Sequence, residues 1–109
     1  MKVINRIKNS DDFALVIKKG HAKRNNSYTI HYLSNSLEYV RVGISVSKKI
    51  GNAVTRNHVK RQIRSMCHNL LDFNGLSLDI VIIARKDYLS KSFGENQSLL
   101  SDLFKTTGR

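Results

Sequence analysis

Residues 48–64 read KKIGNAVTRNHVKRQIR, a run with six cationic side chains (Lys48, Lys49, Arg56, Lys60, Arg61 and Arg64) and no carboxylate. The acid-free span is longer, from residue 39 to residue 71, between Glu38 and Asp72. From about Ala53 the run reads as a helix, with Asn52 or Thr55 as candidate N-cap. At about 100° per residue, Arg56, Asn57, Lys60, Arg61, Arg64 and His68 fall within a sector of roughly 140°. Val59, Ile63, Met66 and Leu70 fall within roughly 60° on a different sector. The fold must therefore lay one face of this helix on a core and hold the other in solvent. Surface helices ordinarily mix signs and gain i,i+4 pairs; this one lacks the acids to do so, and its charge requires a ligand. Arg outnumbers Lys on the helix, and its planar fork matches phosphate oxygens. The ligand implied is an anionic polymer.

A chain of 109 residues is expected to form one domain, residues 1–109, around a single core. Its formal net charge of +11 leaves nucleic acid or an anionic membrane as partner. The longest apolar run, residues 80–84, is far short of a bilayer span, and no amphipathic segment carries a bulky aromatic face, so nucleic acid is favoured and a membrane is not. The basic arm at the N-terminus lacks the apolar stretch of a secretory signal, so a cytoplasmic location is expected. Cys67 is the single cysteine; it lies at the edge of the apolar sector and reads as a small buried hydrophobe.

Along the chain, Asn9, Ser10, Asp11 and Asp12 mark a helix start that runs through residues 13–19 and stops at Gly20 as C′ residue. Phe13 and Ile17 share a face, with Val16 beside them. Residues 21–26 are polar and basic and read as a loop able to reach phosphate. Residues 28–33 alternate, placing Tyr28, Ile30 and Tyr32 on one face and Thr29 and His31 on the other. Residues 39–47 alternate Val40, Val42, Ile44 and Val46 inward, which suggests an antiparallel pair with the preceding strand and one face open. The basic helix ends near residues 69–73, before the breaker Asn74-Gly75. Residues 78–84 are almost continuously apolar, the pattern of an interior strand covered on both faces or of a parallel one. A last helix spans about residues 92–105 with Phe93, Leu100, Leu103 and Phe104 inward, and residues 106–109 fray. The order helix, strand, strand, helix, strand, helix predicts an α+β sandwich, with helices packed on a small sheet.

Chemistry by the protein itself would need clustered carboxylates holding divalent ions or a His-based acid/base pair at a metal site. The eight acids are scattered apart from Asp11-Asp12, which capping explains, and the four histidines show no ligand spacing. No catalytic residue, metal ligand or small-molecule site is assigned to the chain. Asn57-His58 faintly resembles a His-Asn-His nuclease motif, but the preceding segment lacks the other parts. A helix-turn-helix DNA binder is disfavoured because strands flank the basic helix; a structural rRNA-binding protein remains the alternative.

Arg56-Asn57, followed by Lys60-Arg61 and Arg64, and preceded by Val42-Gly43-Ile44-Ser45-Val46-Ser47-Lys48-Lys49-Ile50-Gly51-Asn52-Ala53-Val54, resembles the protein component of bacterial ribonuclease P. The family hallmark is a helix opening Arg-Asn-Arg; His58 stands here in place of the third basic residue, and histidine changes charge near neutrality. The resemblance implies a mixed sheet with a left-handed βαβ crossover. It also implies a subunit of a tRNA 5′-maturing endoribonuclease whose catalytic centre, with its Mg2+, lies in a partner RNA. By the same resemblance, Lys48, Lys49, Arg56, Asn57, Lys60, Arg61 and Arg64 would grip the catalytic RNA. Phe13, Ile17, Thr29 and His31 would line a cleft for the single-stranded leader of precursor tRNA. Relatives often carry aromatics where Ile17 and His31 stand, so stacking in this cleft would be weaker.

Overall fold

Asn9 opens the first helix, α1 (Ser10–Lys19), by accepting the Asp11 N–H at 2.7 Å, with Asp11 and Asp12 in the first turn and Lys18 and Lys19 in the last, each charge matched to the helix dipole. Residues 5–105 are described by the computed structural model; the expected frayed end and the first four residues of the basic arm lie outside them. Gly20 closes α1 in extended backbone rather than in a left-handed turn. Its glycine is needed for close approach, because a Cβ there would run into the carbonyl oxygens of Val16 and Tyr32.

Residues 21–26 are not simply a loop. His21–Arg24 form an edge strand, β1, paired antiparallel with β2 (Tyr28–Ser34). Three polar residues and one alanine have no apolar period, and only pairing with β2 makes them a strand. The element order is thus helix, three strands, helix, strand, helix, with β3 at Arg41–Ser45, α2 at Ala53–Leu70, β4 at Leu78–Ala84 and α3 at Phe93–Phe104. A 3-10 turn, Lys86–Ser90, joins β4 to α3.

The expected β2–β3 pair does not form. The sheet order is β1-β2-β4-β3: β4 lies between them, antiparallel to β2 and parallel to β3. As an interior strand covered on both faces, β4 matches its continuous apolar run, and only Ile83 is not fully buried. Parallel pairing needs a long crossover, and α2 supplies it.

One face of the sheet carries the main core. Tyr28, Ile30, Val42, Ile80 and Ile82 pack there with Val59, Ile63, Met66 and Cys67 of α2 and Leu100 and Leu103 of α3. On the other face α1 inserts Val16 against Val81, beside Ile7. Phe93, expected inward, is instead 38% exposed at the start of α3. The buried position one turn before Leu100 belongs to Asn96, whose Nδ2 donates to the Tyr88 carbonyl while its Oδ1 accepts from Ser27 Oγ at 2.6 Å and its carbonyl from the Tyr28 hydroxyl at 2.9 Å. Ser92 and Glu95 close a reciprocal capping box at this helix start.

Burial pushes the Cys67 thiol up to about 12 from 9.0 and the Tyr88 hydroxyl up to about 12 from 10.0. Tyr28 moves in the same direction, through burial first and then Tyr88 and Cys67. These groups stay protonated when folded and ionise at lower pH when unfolded. The stability they contribute is therefore complete below the unfolded values and is lost as pH rises toward the folded ones. The melting temperature should decline from about pH 9 upward, and Cys67 should resist alkylation until the chain opens. Native-state labelling at the rate of a free thiol would contradict this burial.

Candidate nucleic-acid interface

The basic helix starts as its sequence requires. Asn52 is the N-cap and accepts the Thr55 N–H at 2.9 Å; no acid lies in the first turn. Val59, Ile63, Met66 and Cys67 are buried, while Asn57, His58, Arg61, Arg64 and His68 are exposed. Lys48 and Lys49 stand exposed in the turn before the helix, and Arg56 and Lys60 are half-buried. Among the described residues the ion pairs join Arg41 to Asp12 and Asp79 and Lys105 to Asp102, so none involves this cationic row. Arg56 differs from its neighbours, because its Nη1 donates to the Gly51 carbonyl at 2.9 Å and ties the turn holding Lys48 and Lys49 to the helix.

The strand register defines a second surface, on the α1 side of the sheet. Three rows run across the strands there: Leu33, Asp79 and Arg41; Ala22, His31, Val81 and Gly43; Arg24, Thr29, Ile83 and Ser45. The first row meets α1 through Arg41, which donates to both Asp79 oxygens at 2.9 and 2.6 Å and to Asp12 at 3.3 Å. Val16 covers the middle row at Val81, and Phe13 lies over Gly43, where an added Cβ would come within 2.6 Å of its ring. In the third row Arg24 is exposed and Thr29, Ile83 and Ser45 are half-buried.

Thr29 and His31 therefore lie on the sheet face opposite the main core. Phe13 is half-buried and Ile17 is 38% exposed, so α1 sends Val16 rather than Ile17 into the core. Phe13 and Ile17 line a hollow bounded by residues 7–10, not by Thr29 or His31. His31 has only Ala22 and Val81 opposite it on the neighbouring strands, and its Nδ1 is buried without a hydrogen-bond partner.

The two surfaces adjoin, which sequence reasoning did not reveal. Arg64 of α2 and Phe13 of α1 line one hollow of about 120 Å3 at the β3 edge, together with Arg6, Ile7, Gly43 and Ile44. Arg6 and Ile83 were also missed as surface-forming residues; Arg24 was read within a basic segment able to reach phosphate and Ser45 on the open face of its strand, and only strand register joins them in one row with Thr29.

The described carboxylates are mostly committed to structure: Asp12 and Asp79 to Arg41, Asp72 to the Asn74 N–H, Glu95 to the α3 cap and Asp102 to Lys105. No three His, Cys, Asp or Glu residues among those described converge as metal ligands. No helix among them is long and apolar enough to cross a membrane.

The model of the Ribonuclease P family matches residues 1–108. This chain belongs to the ribonuclease P protein family. It is 45% identical over 104 residues to the ribonuclease P protein component of Mesoplasma florum, covering 94% of each chain. It is 41% identical over 109 residues to that of Bacillus cereus, covering 99% of this chain and 95% of the relative. The fold superimposes on the Staphylococcus aureus RNase P protein with a TM-score of 0.85 at 35% identity, over 95% of both chains. Membership makes the chain a subunit of the ribonuclease P ribonucleoprotein, an endoribonuclease, with a part in tRNA 5′ processing.

Replacing Lys60, Arg61 and Arg64 together by Ala should reduce the slope of log affinity for RNA against log salt by about 2 to 3 while leaving the melting temperature near wild type. Arg56→Ala should in addition cost about 0.5 to 1.5 kcal/mol of stability through the lost Gly51 bond. An unchanged salt slope in the triple variant would remove this helix face from RNA contact.

Proposed function

We propose that the chain is an adaptor that holds two RNAs on adjoining surfaces. Lys48, Lys49, Arg56, Asn57, Lys60, Arg61 and Arg64 grip the catalytic RNA of ribonuclease P by its phosphates and shape. Phe13, Ile17, Thr29 and His31, extended by Arg24, Ser45 and Ile83, receive the single-stranded 5′ leader of precursor tRNA. Folded RNA is recognised largely by backbone and shape, whereas splayed nucleotides need flat or apolar surface and hydrogen-bond partners. The carrying observation is that Phe13 and Gly43, on the α1 side of the sheet, share one hollow with Arg64 of the acid-free cationic helix.

Cleavage on this reading belongs to the RNA, in the cytosol, with Mg2+ bound by the RNA. The protein's cationic surfaces offset repulsion among three sets of phosphates, so that substrate and metal bind at physiological salt. His31, half-buried on the leader side, offers a flat ring against which a base can stack.

In the reconstituted holoenzyme, His31→Ala should lower the ratio of precursor to mature tRNA affinity by about 5-fold or more, at fixed salt and Mg2+, because mature tRNA lacks the leader. Phe13→Leu should act in the same direction without emptying the space over Gly43. A ratio unchanged in both variants would contradict the leader assignment and leave the basic-helix assignment intact.

A further inference from the structure

The sheet carries a second concentration of flat side chains, on the face opposite the proposed leader surface. His21 of β1 and Tyr32 of β2 are direct cross-strand partners. Their rings lie 5.3 Å apart, tilted by 32°. The Lys23 ammonium stands 5.9 Å from the Tyr32 ring centroid, within cation–π range. A cleft of about 310 Å3 opens beside them, bordered by His21, Tyr32, Ser34, Leu76, Ser77 and Leu78. Tyr32 is half-buried against the main core while His21 and Leu76 are exposed, so the platform is anchored below and open above.

No residue lining this cleft is acidic. Residues 13–37 include Lys18, Lys19, Lys23 and Arg24 and no carboxylate, a second acid-free span besides that of α2. Aromatic surface with cations and hydroxyls beside it, and no acid on the rim, matches a nucleotide: the base stacks, and the phosphate meets the lysines. β1 and β3 are opposite edges of the four-stranded sheet, roughly 14 Å apart at about 4.8 Å per strand. Tyr32 and Thr29 point to opposite faces. The Arg24–Ser45 row begins on β1 but lies on the opposite face, so a leader along it faces away from this cleft, which leaves the cleft to the other RNA of the particle.

We propose that His21, Lys23 and Tyr32 form a third RNA contact, which stacks an unpaired nucleotide of the catalytic RNA at the β1 edge. This contact rests on the reading of the chain as a ribonuclease P subunit and adds a site to it. By its position it would fix the protein's orientation on the catalytic RNA from the edge remote from α2.

The test is the affinity of the protein for the catalytic RNA, without substrate, for wild type, Tyr32→Leu, Tyr32→Phe and His21→Ala. Tyr32→Leu should weaken binding by about 5- to 100-fold, the worth of one stacked base. Tyr32→Phe, which keeps the ring, should bind as wild type, and His21→Ala should fall between. Melting curves identify any variant that fails to fold; should Tyr32→Leu do so, His21→Ala with Lys23→Met carries the test. Wild-type affinity in Tyr32→Leu, alongside weakened binding by the Lys60/Arg61/Arg64 triple variant, would overturn the third contact alone. Wild-type affinity in both would overturn the underlying RNA assignment. A defect that appears only when precursor tRNA is added would place the substrate at this cleft and also overturn the proposal.

Discussion

The parallel ladder between β3 and β4 governs the rest of the structure. Two parallel neighbours cannot be joined by a tight turn, so the chain must travel the length of the sheet between them, and the segment that does so is α2. A crossover helix has to bury one side on the sheet it spans. Val59, Ile63, Met66 and Cys67 are buried there, and the cationic side chains on the other side are left to solvent or to a ligand. The cationic row is therefore held rigidly at the β3 edge, by the core rather than by interactions among its own charges.

The same register sets the second surface. Arg41, gripped by Asp79 through two hydrogen bonds and reaching Asp12, pins the start of α1 over one end of the sheet. Val16 and Phe13 extend that coverage over the middle row, and Ile83 of the next row packs partly against the same cluster. The half-buried row at Thr29, Ile83 and Ser45 is thus the part of the sheet that α1 covers least. Residues 5–7 complete the arrangement: the Ile7 N–H donates to the Val42 carbonyl and Asn5 Nδ2 to the Val40 carbonyl, which shields part of the β3 edge.

Elements whose period is local were legible before the fold was known. The faces of α2, the interior character of β4 and the capping of α1 and α2 all follow from spacing within one turn or one strand. What was illegible depends on pairing across the chain. β1 has no apolar period and exists because β2 offers it hydrogen bonds. The adjacency of β2 and β3 was a reasonable inference from sequence order, but a strand formed 33 residues after β3 takes the place between them. Phe93 was assigned inward on hydrophobicity alone; the buried site goes to Asn96 because Ser27, Tyr28 and Tyr88 offer it a complete set of hydrogen-bond partners. The junction of the two surfaces at Arg64 and Phe13 joins residues 51 positions apart, beyond any local pattern.

That one small protein holds two different RNAs at once is tested most directly by site-specific photocrosslinking in the reconstituted holoenzyme. One photoreactive side chain would replace Ser65, exposed on α2 one turn beyond Arg61; the other would replace Ser45, half-buried in the row with Thr29 and Ile83. The account predicts that position 65 crosslinks to the catalytic RNA whether or not substrate is present, and that position 45 crosslinks to the leader of precursor tRNA and not to mature tRNA. Crosslinks from both positions to the same RNA, or from position 45 to mature tRNA as readily as to precursor, would contradict it.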